Sequence, residues 1–199
     1  RMVKRPRFEV LISRRDFALV FTLLFNAFTW SYMAIMIIEG IPLDATVKTS
    51  LSTVFSIAAS GAGFSGALFS EKIKRLRFLY FWMILGLFSS LLLILMYNTA
   101  VAYLSIVYIL LGISFGLGMP SSLAYLADYT QVENRGLVSS LIFLAANISV
   151  LPLAILFMTF SPIMNGIILV VWRGLGLITF VVLKPKEENL EAEKKHVSF

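Results

Sequence analysis

Residues 78–97 read FLYFWMILGLFSSLLLILMY and contain no charged side chain. A helix of about 20 residues rises about 30 Å, which matches the thickness of the hydrocarbon core of a bilayer. The stretch also lacks the strict alternation of apolar and polar residues that a membrane β-barrel needs. It therefore predicts a transmembrane helix.

Five further stretches have the same character, and short polar breaks separate them. The six predicted spans cover residues 17–38, 49–69, 78–97, 101–127, 137–160 and 163–183. The composition agrees, since 59% of the residues are hydrophobic and only 14% are charged, whereas soluble domains carry about 25% charged residues. We therefore expect an all-α, polytopic membrane protein with six transmembrane helices, for which the lipid bilayer is a main partner.

The basic residues are distributed unevenly around these spans. Of the 17 Lys and Arg residues, only Lys48 falls on one side and only Arg173 falls inside a span. The others occupy the lead (residues 1–16), the connections after spans two and four, and the charged tail (residues 184–199). The positive-inside rule places these segments in the cytoplasm. We expect a protein of the cytoplasmic membrane with both termini cytoplasmic, a lead in the cytoplasm or at the membrane interface, and no nucleic-acid partner.

The residues inside the spans exclude several kinds of enzyme site. The chain has no cysteine, and its one histidine, His196, lies in the tail. Neither a thiolate or histidine metal site nor a Ser-His pair can therefore form within the spans. The run Gly63-Phe64-Ser65-Gly66 has the Gly-x-Ser-Gly form of rhomboid-type proteases, but the histidine base is missing, and small residues favour close helix packing. We predict no enzyme activity, no cofactor and no metal.

The connection after span two carries a recognisable pattern. Residues 66–75, GALFSEKIKR, resemble the signature loop of the major facilitator superfamily, Gly-x-x-x-Asp-Arg-x-Gly-Arg-Arg/Lys. In this comparison Glu71 takes the place of the acid, and Lys72 and Arg75 take the places of two bases. Ala67 and Lys74 stand where the pattern has glycine.

A second connection, residues 126–136, LADYTQVENRG, resembles the loop between spans four and five of the same superfamily. In that family an acid ends span four, and it pairs with a base of the signature loop. The resemblance therefore implies a pair between Arg75 and Asp128. We predict a cytoplasmic gating cluster that biases the protein towards its outward-open state, formed by Glu71, Lys72, Arg75, Asp128 and Arg135.

The resemblance implies a fold and a function for the whole chain. Transporters of this superfamily have two six-helix halves, so the chain corresponds to one half, and its tail fits an N-terminal half that stops in the central loop. A C-terminal half, or a half-size protein that forms a homodimer, stays open. The implied function is secondary transport of a small solute by alternating access. The alternative is a six-helix substrate-binding subunit of an energy-coupling-factor-type importer.

Four side chains inside the spans are candidates for lining a solute cavity: Asn26, Trp30, Asn147 and Arg173. Asn26 and Trp30 lie one helical turn apart, where the amide can orient a solute and the indole can stack on it. An arginine at mid-span costs about 2.5–3.5 kcal/mol. It is expected either to bind an anionic solute or an acid of a second half, or to bond polar groups between helices. Trp82, near the start of span three, is expected in the interfacial aromatic belt.

Overall fold

The computed structural model describes residues 13–70, 74–96, 100–183 and 185. These residues form α1 (Arg14–Gly40), α2 (Ala45–Ser70), α3 (Arg75–Met96), α4 (Val101–Tyr129), α5 (Arg135–Thr159) and α6 (Pro162–Val182), with a short 3-10 helix at Val132–Asn134. All six α-helices are long and apolar enough to cross a membrane. The prediction of an all-α fold with six spans is confirmed. Residues 1–12 of the lead and most of the tail lie outside the described residues.

The helix ends are set by polar side chains next to the apolar runs. Ser13 Oγ accepts a hydrogen bond from the backbone N–H of Asp16 at 3.1 Å, which caps α1, and the Asp16 carboxylate suits the positive end of the helix dipole. Ser161 caps α6 in the same way. Lys48 Nζ donates to the carbonyl of Glu39 at 2.7 Å, so a cation lies at the C-terminus of α1. Helices α1 and α2 each extend beyond the predicted apolar spans, residues 17–38 and 49–69.

The helices pack as two rows of three. In one row α4 lies between α2 and α3, and in the other α1 lies between α5 and α6. The rows contact each other through α1 and α4, and α3 packs on α6 at one side. At the opposite side, among the described residues, α2 and α5 make at most slight contact. The bundle is therefore closed along α3 and α6 and more open between α2 and α5, with α1 and α4 behind the opening.

The closest helix pair, α2 and α4, is held together at glycines. A Cβ at Gly116 of α4 would collide with the backbone carbonyl of Ala59, and one at Gly66 of α2 would collide with that of Leu117. Only a residue without a side chain allows the two backbones to approach so closely. The packing role predicted for the small-residue run that contains Gly66 is confirmed.

One end of the bundle gathers the start of α1 and the end of α6. Arg15 donates from Nε and Nη2 to the carbonyl of Leu183 at 3.1 and 2.8 Å. The start of α3 and the end of α4 lie at the same end, because Phe180 near the end of α6 packs against Tyr80 and Tyr125. Arg75 and Asp128 form an ion pair there. We call this end of the bundle the Arg75 end.

Candidate functional site

Arg173 lies near the middle of α6, and its side chain is 0% exposed. Its Nη1 donates to Asn26 Oδ1 at 3.0 Å. The guanidinium carbon lies 5.0 Å from the ring centroid of Trp30 and 4.5 Å from that of Trp82. The positive charge is therefore held between α1, α3 and α6, and we call Arg173, Asn26, Trp30 and Trp82 the Arg173 cluster.

The cluster contains no carboxylate. In the described part of the chain, the acidic residues lie at helix ends or in connections: Asp16, Glu39, Asp44, Asp128 and Glu133. Arg173 Nε and Nη2 have no hydrogen-bond partner among the described residues. Two aromatic faces take the place of an anion, and a desolvated cation–π contact contributes about 2 kcal/mol.

A second set of hydrogen bonds fixes the groups that hold Arg173. Asn26 Nδ2 donates to the carbonyl of Trp172 at 2.7 Å, which orients its oxygen towards the guanidinium. Trp30 Nε1 donates to Ser90 Oγ at 2.8 Å. A Cβ at Gly86 would lie 2.5 Å from Arg173 Nε, so the absence of a side chain there makes room for the arginine.

The interfacial position predicted for Trp82 is wrong. Its side chain is 0% exposed, and its indole Nε1 donates to the carbonyl of Ser114 on α4. The helix α3 begins at Arg75, before the predicted span, so Trp82 lies about 10 Å beyond the first residue of the helix. That depth brings its ring to Arg173 rather than to the membrane surface.

The sequence did not reveal three α3 residues of this region: Trp82 and Gly86, which lie against Arg173, and Ser90, which accepts from Trp30. Their spacing of four residues places all three on one face of α3. The spacing was visible in the sequence, but nothing in it indicated that this face meets α6. The structure supplies that contact through the packing of α3 on α6.

A different surface faces the opening between α2 and α5. Phe28 of α1 packs edge-on against Phe143 of α5 and Phe115 of α4, with ring centroids 4.8 and 6.0 Å apart. All three rings are half-buried. Asn147, one turn beyond Phe143, is exposed, and its Nδ2 donates to the carbonyl of Phe143 at 2.8 Å. We call Phe28, Phe115, Phe143 and Asn147 the aromatic wall.

The four predicted cavity residues therefore fall in two places. Asn26, Trp30 and Arg173 meet in the Arg173 cluster, where they are 4%, 0% and 0% exposed. Asn147 lies in the aromatic wall. A helix turns by about 200° over two residues, so Phe28 points away from the side of α1 that carries Asn26 and Trp30. Contact of the three buried residues with a solute stays a prediction.

Two of the predicted gating residues form an ion pair at the Arg75 end. Arg75 Nη1 binds Asp128 Oδ2, and each side chain is 25% exposed. The pair joins the start of α3 to the end of α4. Arg135 Nε donates to the carbonyls of Ala127 and Thr130 at 3.0 and 3.2 Å, which places a cation at the C-terminus of α4, where the helix dipole favours it.

Glu71 and Lys72, the other members of the predicted gating cluster, lie outside the described residues. The structure thus describes the part of the cluster that belongs to α3, α4 and the start of α5. Its effect on the balance between outward-open and inward-open states stays a prediction.

Comparisons with known proteins agree with this architecture. The family described as Major Facilitator Superfamily matches residues 16–198. Among solved structures, the chain is similar to a mutant of the peptide transporter POT in complex with sulfate, with a TM-score of 0.74 and 20% sequence identity. The match covers 97% of this chain but only 44% of that transporter. At this identity the likeness shows the fold alone. No curated protein shows a significant match to the sequence.

Proposed function

The chain belongs to the major facilitator superfamily, and from that premise we propose that it forms one six-helix half of a secondary transporter for a small solute. The observation that carries the proposal is the extent of the structural match. Almost the whole chain corresponds to less than half of a known transporter, which leaves room for a second half. That half belongs either to the same polypeptide or to a second copy of the chain.

The open side of the bundle supports a cavity between two halves. The Arg173 cluster closes the side formed by α3 and α6, whereas the aromatic wall, on α1, α4 and α5, borders the opening between α2 and α5. In alternating access, the two halves rock around a site near the middle of the membrane. We assign the contact with solute to Asn147, and we assign to Asn26, Trp30 and Arg173 the role of holding α1, α3 and α6 together.

The charges at the Arg75 end support an orientation and a role in gating. Since the basic residues concentrate at this end, we propose that it faces the cytoplasm, with both termini on that side. The ion pair between Arg75 and Asp128 joins two helices of the same half. We propose that this pair, together with Arg135, Glu71 and Lys72, forms a gating cluster that favours the outward-open state.

Solute flux without a nucleotide tests the proposal. The purified full-length protein is reconstituted in liposomes that contain a mixture of sugars, amino acids, amides and organic acids, and the loss of each solute is followed by mass spectrometry. We expect at least one solute to cross faster than in liposomes that carry heat-denatured protein, with no ATP present. If every solute leaks at the control rate, the proposal fails. The family match does not favour the alternative, a subunit of an energy-coupling-factor-type importer, which would need its ATPase partners to move solute.

A further inference from the structure

We propose that the aromatic wall binds an uncharged solute that carries an aromatic ring and a hydrogen-bonding group. This inference rests on the proposed function, because it takes the wall as one side of the transport cavity. It names a class of solute that family membership leaves open.

The first argument comes from the three rings. Phe28 meets the ring of Phe143 at an interplanar angle of 62° and the ring of Phe115 at 71°. Phe115 also stacks on Phe55 of α2, with ring centroids 6.3 Å apart, so one of its faces is covered. The side chains of Phe28, Phe115 and Phe143 are each half-buried, which leaves part of every ring accessible. The rings come from three different helices, so the wall is a surface of the assembled bundle. Such a surface suits an aromatic guest, because aromatic rings favour edge-to-face and offset stacking with one another.

The second argument comes from the positions of charged side chains within the spans. Within the described parts of the spans, the only charged residue at mid-depth is Arg173, and it is 0% exposed. It also lies on the side of α1 opposite to Phe28. A charged solute that leaves water needs a counter-charge or several hydrogen bonds. The wall has no ionised group, so an anion gains no compensation there. A cation gains only a cation–π contact with the phenylalanine rings, which is weaker than the cost of desolvating an unpaired ion.

The third argument comes from Asn147, the polar member of the wall. Its side chain is exposed, and Nδ2 uses one of its two protons in the bond to the carbonyl of Phe143. One amide proton and the amide oxygen therefore remain for a guest. A neutral amide or hydroxyl group on the solute matches this donor and acceptor.

Four probes of similar size test these features separately. Naphthamide is neutral and aromatic, naphthoate is an anion, naphthylmethylammonium is a cation, and decalin carboxamide is the saturated analogue of naphthamide. Binding to the full-length protein in lipid nanodiscs is followed by the shift in its melting temperature. We expect the largest shift with naphthamide. An equal or larger shift with either charged probe or with the saturated probe overturns the proposal, and so does the absence of a shift with naphthamide.

Variants then locate the site. Phe143→Leu keeps an apolar side chain of similar volume but removes the ring, so we expect the Kd for naphthamide to rise about two- to tenfold. Phe88→Leu is the matched control, because Phe88 is 56% exposed on α3, away from the wall, and we expect no change. Equal effects of the two variants would overturn the assignment to the wall.

These outcomes differ from a failure of the proposed function. A protein that moves solutes without ATP but prefers naphthoate is still a transporter, and only the solute class is then wrong. A protein that moves no solute loses the proposed function, whichever probe it binds.

Discussion

We predict that the hydrogen bond between Asn26 and the buried guanidinium of Arg173 stabilises the bundle beyond the contribution of apolar packing. Asn26→Leu keeps the number of side-chain heavy atoms but removes the oxygen that accepts from Arg173 at 3.0 Å. The guanidinium then stays buried without its one side-chain hydrogen bond. Removal of the partner of a buried hydrogen-bonding group costs about 1–3 kcal/mol, and more when the group is charged. We use about 3 kcal/mol, because the guanidinium is charged but the two tryptophan rings remain in place.

Arg173→Met removes the charge together with its contacts. The change loses the hydrogen bond, worth about 1.5–3 kcal/mol, and two cation–π contacts, worth about 0.5–2 kcal/mol each, so the losses sum to about 2.5–7 kcal/mol. It also removes the cost of placing an arginine at mid-span, about 2.5–3.5 kcal/mol. These ranges overlap, so the double variant isolates the contribution of the hydrogen bond. Once Arg173 is gone, Asn26→Leu should add little, so the double variant should resemble Arg173→Met.

Thermal unfolding of the full-length protein in detergent measures these differences. All three tryptophans of the chain (Trp30, Trp82 and Trp172) lie in or next to the cluster, so their fluorescence reports on this region. For a protein of this size, about 1 kcal/mol shifts the melting temperature by about 2–4 °C. We expect Asn26→Leu to lower it by about 6–12 °C in the otherwise unchanged protein and by much less when Arg173→Met is also present.

A second asparagine provides the control. Asn165 is 1% exposed, and its Nδ2 donates to the carbonyl of Phe157 at 2.8 Å, without contact to Arg173. Asn165→Leu and Arg173→Met should therefore add within about 0.5 kcal/mol. If Asn26→Leu and Arg173→Met are equally additive, the charged hydrogen bond does not stabilise the bundle and the reasoning is refuted.

Two further predictions concern helix packing and the Arg75 end. Gly116→Ala should destabilise the protein by about 1–3 kcal/mol, because the new Cβ meets the backbone carbonyl of Ala59. Gly61→Ala, where nothing lies within 4 Å, should leave the melting temperature unchanged or raise it, because alanine favours the helix over glycine. Equal decreases in the two variants would contradict the close contact at Gly116. Asp128→Asn should cost under about 1 kcal/mol, because the ion pair with Arg75 is partly exposed. Fluorescent reporters across the cavity mouth at the Arg75 end should nevertheless show a shift towards the inward-open state. Exchange of the two charges should reverse that shift, and an unchanged conformational balance in Asp128→Asn would contradict the gating role.

The helices and the charged connections could be predicted from the sequence for separate reasons. A span is a local property, since about 20 apolar residues cross the bilayer whatever they contact. The pairing of Arg75 with Asp128 follows from the resemblance of two short loops to one family. Neither inference needs knowledge of which helix faces meet.

The surroundings of Arg173 could not be predicted, because hydropathy does not distinguish lipid from protein interior. Lipid tails are as apolar as leucine, so a span is apolar on the lipid-facing side and on the packed side alike. Trp82 is an example, because an aromatic residue near the end of a span is compatible with both the membrane interface and the protein interior. The contact between Asn26 and Arg173 joins α1 to α6 across most of the chain, and only the packed bundle shows it.

The accessibility of Asn147 from the two sides of the membrane tests whether the aromatic wall lines a cavity with alternating access. The chain contributes no cysteine of its own, so Asn147→Cys provides a single reactive thiol on the aromatic wall. Val171→Cys is the matched control, because Val171 is 53% exposed on α6, opposite to Arg173, and both positions lie about 17 Å from the Arg75 end. We expect a membrane-impermeant maleimide to modify Asn147→Cys from either side, in vesicles of either orientation, and to leave Val171→Cys unmodified in lipid. Modification of Asn147→Cys from neither side, or from one side only, would contradict alternating access to the aromatic wall.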